Sequence, residues 1–185
     1  MQKVKLFSIG RFGAASLLAL AVFACPASGQ QVNVVHVEFA RGKPDTMLSG
    51  IDVCNTPMWK VFEKLGHPDR TDHPRNQPAF TWERPGVKLV VSEYTFLDGL
   101  VPNFVQVSGR VPVGEIGRTG RGLALGATLN DIRRIYGGQF PVDVYRGVRR
   151  VSVLWENSSD ALYITLDKND RVVGMELHAG DCNSP

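Results

Sequence analysis

The sequence predicts an α+β fold of two tandem repeats, each a short helix packed on an antiparallel meander of three, or at most four, strands. Three observations predict it. One apolar pattern is written twice, at offsets between 70 and 73 residues. Each copy opens with a capped helical stretch that ends at glycine. Each then alternates apolar and polar residues with a period of two, broken by turn residues.

The chain opens with an export signal. Lys3, Lys5 and Arg11 form a positive start, Phe12–Ala24 is a largely apolar run of 13 residues, and Cys25–Gly29 is a tail of small residues with one proline. That layout is a secretory signal peptide over residues 1–29, because a run so short cannot cross a bilayer as a helix. Ala27 and Gly29 suit cleavage before Gln30. Val22-Phe23-Ala24-Cys25 is a rival site, resembling a lipobox in which Cys25 is lipidated and becomes the first mature residue. The protein is therefore expected to be periplasmic or secreted, with outer-membrane tethering through Cys25 as the alternative.

The leader holds three of the 21 basic residues and none of the 18 acidic ones, so the mature chain carries 18 of each sign. The sequence pI of 8.9 reflects mostly the leader and argues for no nucleic-acid partner. Charge is nevertheless uneven. Eight arginines lie between Arg110 and Arg150 against Glu115, Asp131 and Asp143, whereas six acids face Lys168 and Arg171 after Val151. The basic stretch reads either as a solvated region beside an acidic neighbour or as a patch for an acidic partner. Cys54 and Cys182 remain in the mature chain, and an oxidising compartment favours a disulfide between them.

Residues 30–49 form a lead-in with one candidate strand, Val32–Phe39. Repeat 1 spans 50–109 and repeat 2 spans 122–182. Gly50–Thr56 lies over Gly122–Thr128, Val61–Gly66 over Ile132–Gly137, and Trp82-Glu83 over Trp155-Glu156. Val105 and Val107 likewise match Met175 and Leu177. Thr56 and Thr128 are expected N-caps, and Asp131 completes a capping box. The helices run to Leu65 and Tyr136, where Gly66 and Gly137 offer the left-handed stop. Met58, Val61, Phe62 and Leu65 share one face; so do Leu129, Ile132, Ile135 and Tyr136.

Strands are expected over Ala79–Arg84, Val87–Tyr94 and Phe104–Ser108, and again over Val148–Glu156, Ala161–Leu166 and Arg171–His178. Parity puts Leu89, Val91, Leu162, Ile164, Val105, Val107, Met175 and Leu177 on a buried face. Lys88, Ser92, Tyr163, Thr165, Gln106, Glu176 and His178 fall on the other. Trp82 and Trp155 have core parity and are expected beneath the helices. Residues 110–121 form a Gly/Arg-rich junction, expected to be a flexible linker.

The stretch Pro57-Met-Trp-Lys-Val-Phe-Glu-Lys-Leu-Gly-His-Pro68 resembles the opening of BamE/SmpA-type envelope modules, and Thr128–Gly137 shows the same pattern. A tryptophan strand and an aliphatic hairpin follow in each case. Tandem copies are similar to the architecture of the β-lactamase inhibitor protein (BLIP). The resemblance implies an exported, non-catalytic module that grips a protein partner.

Catalytic patterns are sparse. His67, Asp69, Asp72 and His73 crowd one proline-rich loop but match no established metal spacing, and no cofactor is expected. The reading is a non-catalytic interaction module, either an envelope scaffold or assembly factor or an inhibitor-like binder of another envelope or secreted protein. The alternatives are a carrier of a small ligand or metal in a cleft between the repeats and, behind it, an enzyme. The expected contact surface is Lys88, Ser92, Tyr94, Tyr163, Thr165, Glu176 and His178, steered by Arg146, Arg149 and Arg150.

Overall fold

The period-two alternation of the two strand-rich stretches is converted into one mixed sheet of nine strands. The computed structural model describes residues 38–74, 77–96 and 99–180, and for 93–96 and 99–100 the backbone alone. Residues 1–37 lie outside that description, and with them the leader, Cys25 and most of the candidate strand Val32–Phe39.

In chain order the elements are β1 (Phe39–Ala40), β2 (Met47–Leu48), β3 (Ile51–Asp52), α1 (Met58–Leu65), β4 (Arg70–Asp72), β5 (Ala79–Arg84), β6 (Val87–Phe96) and β7 (Gly99–Gly109), followed by α2 (Leu129–Tyr136), β8 (Asp143–Tyr145), β9 (Val148–Trp155), β10 (Ala161–Leu166) and β11 (Val172–His178). The sheet runs β1-β9-β10-β11-β7-β6-β5-β4, with β8 also pairing β9; β2 and β3 form a separate hairpin.

This corrects the expected fold class. The protein is mostly β, 46% strand against 13% helix, and does not form two α+β units of helix on meander. The deciding contact is between β7 and β11, which pair antiparallel with Val105 opposite Leu177, Gln106 opposite Glu176 and Val107 opposite Met175. Two separate units would each leave an open strand edge there, and edges that can pair tend to do so. Main-chain bonding instead fuses the strands into one ladder. Short strands then lengthen it at both ends: β4 against β5, and β8 and β1 against β9, the last in parallel. Among the described residues the two helices have eight residues each, too little to form a layer of their own.

One face of the sheet carries the core. Trp82, Leu89, Val91, Val105, Val107, Val151, Val153, Trp155, Leu162, Ile164, Met175 and Leu177 belong to a single buried cluster. Helix α1 lies on it with Phe62 edge-on to Phe80 at 5.0 Å, and Trp82 donates through Nε1 to Gly66 O at 3.0 Å. Helix α2 contributes Ile132 and Tyr136, the latter edge-on to Trp155 at 6.1 Å.

The helix ends repay attention to single residues. Thr128 caps α2 as expected, its hydroxyl accepting from Asp131 N while the Asp131 carboxylate accepts from Thr128 N. Thr56 does not cap α1. Pro57 takes that position without a side-chain bond, and the Thr56 hydroxyl instead accepts from Asp52 N at 2.9 Å, closing the turn after β3.

The Gly/Arg junction is tied down rather than loose. Ser49 N donates to Arg118 O, Gly120 N to Met47 O, and Gly117 N to the buried Ser49 hydroxyl. Gly117 sits at φ +89°, where an added Cβ would meet Leu125 Cδ1 at 2.7 Å, so glycine is required there by both conformation and space. Asp45, itself buried, accepts from Tyr136 Oη at 2.9 Å and from Arg121 N at 3.1 Å, joining lead-in, junction and α2.

Candidate functional site

The helices pack on the core face, so alternate residues of the central strands are left on the reverse face. Strand register fixes who meets whom there. One cross-strand row reads Ser152, Tyr163, Glu176, Gln106, Val90 and Thr81. The row beside it reads Leu154, Ala161, His178, Phe104, Ser92 and Ala79. A third reads Arg150, Thr165, Gly174, Ser108, Lys88 and Glu83.

Within these rows the side chains form a stacked series across five strands. The Arg146 guanidinium lies 5.2 Å from the Tyr145 ring, and that of Arg150 lies 5.8 Å from the same ring. Arg150 is 3.6 Å from the centroid of Tyr163, a close cation–π stack. Tyr163 meets His178 edge-on at 5.3 Å, and His178 meets Phe104 edge-on at 4.7 Å. Arginine and aromatic rings thus follow one another from β8 to β7.

Glu176 sits at the middle of the series. Its Oε1 accepts from Gln106 Nε2 at 3.0 Å; its Oε2 lies 3.7 Å from His178 Nε2 and 3.8 Å from Arg150 Nη2. Its carboxyl is held below the ordinary carboxylate value, by His178 first, with Arg150 and Gln106 adding to an effect that burial partly opposes. Both groups stand beyond ordinary hydrogen-bond distance of Oε2, and His178 Nε2 is buried with no hydrogen-bond partner.

Of the expected contact residues, the fold brings together Tyr163, Glu176, His178, Thr165 and Arg150. Lys88 lies on the same face three strands from Thr165, and Ser92 uses its hydroxyl to donate to Pro78 O at 3.1 Å. Tyr94 pairs through its backbone with Val101, and its side chain lies outside the described residues. Arg146 occupies the β8–β9 turn at φ +51°. Arg149 departs from the group and pairs with Asp170. Phe104, Gln106 and Tyr145 complete the series and were not among the expected contacts. For the first two the signal was present: Gln106 has the parity of Glu176 and His178, and Phe104 that of Gln106. What parity could not say was that β7 lies beside β11.

The remaining candidates are placed as follows. Asp69 accepts from Glu83 N at 2.6 Å and pairs with Arg84, while Asp72 pairs with Arg70 at 2.7 Å. Among the described residues no group of three or more His, Cys, Asp or Glu is placed to hold a metal ion. The β7–β11 seam, where a ligand cleft between repeats was the alternative, is closed by main-chain pairing. No helix among the described residues is long and apolar enough to cross a membrane. Cys54 is disulfide-bonded and stands in the left-handed region at φ +68°. Cys182 lies outside the described residues.

No family model matches the chain, and no curated protein does. Among solved structures it is similar to a cysteine-rich secretory protein from Staphylococcus aureus, at 13% identity and a TM-score of 0.44. The match covers 67% of this chain and 44% of that one. A likeness at this level carries no argument about fold or function.

Proposed function

We propose that this protein is an exported, non-catalytic interaction module that presents the reverse face of its sheet to a protein partner in the envelope or outside the cell. The observation that carries the reading is the stacked series Arg146–Tyr145–Arg150–Tyr163–His178–Phe104. Tyrosine and arginine are the residue types that dominate binding energy at protein interfaces, above all when neighbours already hold them in place. Half-buried side chains fixed by stacking lose little conformational freedom on binding, which favours affinity. The leader read in residues 1–29 supports export, and the likeness of Pro57–Pro68 to envelope modules points the same way. Whether the partner is scaffolded or inhibited depends on the partner.

A photo-crosslinking residue placed at Tyr163 in the producing cell tests the reading. It is compared with the same residue at Trp59, which is 61% exposed on α1 on the core side of the sheet. A defined protein adduct from position 163, absent from position 59, is the expected result. Adducts from 59 with none from 163 would put the interface on the wrong face and overturn it. Mass spectrometry of the mature N-terminus decides between cleavage before Gln30 and lipid on Cys25.

A further inference from the structure

We infer that Arg150 is the receptor for a carboxylate of the partner, an Asp or Glu side chain delivered onto the stacked series. The inference rests on the reading of the reverse face as the interface.

A guanidinium carries five N–H donors in a rigid plane. Among the described residues Arg150 donates no hydrogen bond, and its nearest carboxylate oxygen, Glu176 Oε2, stands 3.8 Å away. Asp143, its cross-strand partner on β8, makes no ion pair with it among the described residues. Yet the side chain is only 23% exposed, with the Tyr163 ring at 3.6 Å and the Tyr145 ring at 5.8 Å. That exposure leaves solvent to meet its donors.

A partner that covers this face takes the water away. A charged group buried with its donors unmet is strongly unfavourable, so the partner must bring acceptors. A carboxylate meets the requirement best: it is planar, carries the compensating charge and can take two parallel N–H bonds from the guanidinium edge. The side chain keeps 23% of its surface exposed beside the two rings, which leaves room for such an approach. Glu176 offers Arg150 one oxygen only, Oε2 at 3.8 Å, because its Oε1 is held by Gln106 at 3.0 Å, so it cannot supply a two-oxygen grip. Arg149, by contrast, already has a carboxylate partner, Asp170, although its Nε stays buried without an acceptor.

The test uses the full exported chain with its arginine side chains labelled for NMR. It is titrated with a capped peptide bearing one glutamate among glycines, with the glutamine counterpart, and with inorganic phosphate. The expected result is a saturable shift of the Arg150 Nε–H signal with the glutamate peptide alone, while Arg149 stays still. Equal response to the glutamine peptide or to phosphate, or no response, would overturn the assignment. In cells, Arg150→Gln should lower the Tyr163 crosslink about tenfold or more, as loss of a charge-assisted pair does. Arg150→Lys, which keeps the charge but not the fork, should recover part of the yield and guards against simple misfolding. A full-strength Tyr163 crosslink in Arg150→Gln would sink the carboxylate while leaving the interface standing; no Tyr163 crosslink in the parent protein would sink both.

Discussion

Gln106 on β7 donates to Glu176 on β11 at 3.0 Å, directly across the seam where two strand meanders become one sheet. The same carboxylate faces His178 and Arg150, so a single side chain links the seam to the stacked series. Contacts at this position therefore serve both the sheet and the face it presents.

Glu176→Gln should show this in its pH dependence. The folded-state carboxyl is held below its ordinary 4.5, so the stabilisation it provides is complete above that value and fades as pH falls through the depressed one. The parent should be the more stable at neutral pH, and the two proteins should converge in acid. Urea midpoints measured across that range check it. A constant gap between them would mean that Glu176 acts through packing alone.

The capping box at α2 gives a second acid-sensitive element. Thr128 holds the Asp131 carboxyl down to about 2 from 3.8, mainly through backbone and hydroxyl bonds, with Arg134 adding to them. Thr128→Ala should cost about 1 kcal/mol, the usual value of such a cap. Because the depressed carboxyl stabilises above its unfolded value and loses that contribution between about 3.8 and 2, the variant should also show a flatter acid limb there. Thr56→Ala removes only a turn contact and should leave helix content unchanged by circular dichroism.

Tyr136→Phe tests the knot joining lead-in, junction and α2. The phenol reaches Asp45 Oδ2 at 2.9 Å and Thr119 Oγ1 at 3.0 Å, and Asp45 is 5% exposed. Burial first, then the charge of Asp45, pushes the Tyr136 hydroxyl well above the usual tyrosine range, so it stays a donor at any working pH. Losing it leaves a buried carboxylate short of a partner, at about 1–3 kcal/mol. Thermal unfolding that matches the parent would show that water fills the gap.

Much of the local structure was legible because it depends on neighbours in sequence. Ala79–Arg84 and Ala161–Leu166 end where alternation ends, and Gly66 and Gly137 stop the helices where the apolar face runs out. What escaped is non-local. Val105 and Met175 match as equivalent positions in sequence, which reads as two units, yet both belong to the pairing of β7 with β11. Strands β1, β4 and β8 are two or three residues long, too short for any period to register. Which residues share the reverse face was legible through parity, except for one pair. Arg149 and Arg150 are consecutive on a strand and so turn to opposite sides; only Arg150 joins Tyr163.

Cys54 supplies the last prediction. Its N–H donates to Pro102 O at 2.8 Å, while Ala179, the residue after β11, donates to Asn103 O at 3.0 Å. The disulfide-bonded cysteine and the chain three residues before Cys182 are thus fastened to consecutive residues of β7. We propose that Cys182 is the partner of Cys54. Non-reducing peptide mapping should recover the two in one linked fragment, and recovery of Cys182 as an alkylated thiol would exclude the pairing. A bond closing so long a loop stabilises by about 4–5 kcal/mol in the chain-entropy model. Cys182→Ser should therefore lower the urea midpoint steeply in the oxidised protein and leave it unchanged once both proteins are reduced. A drop that persists under reduction would assign the loss to packing at the C-terminus rather than to the crosslink.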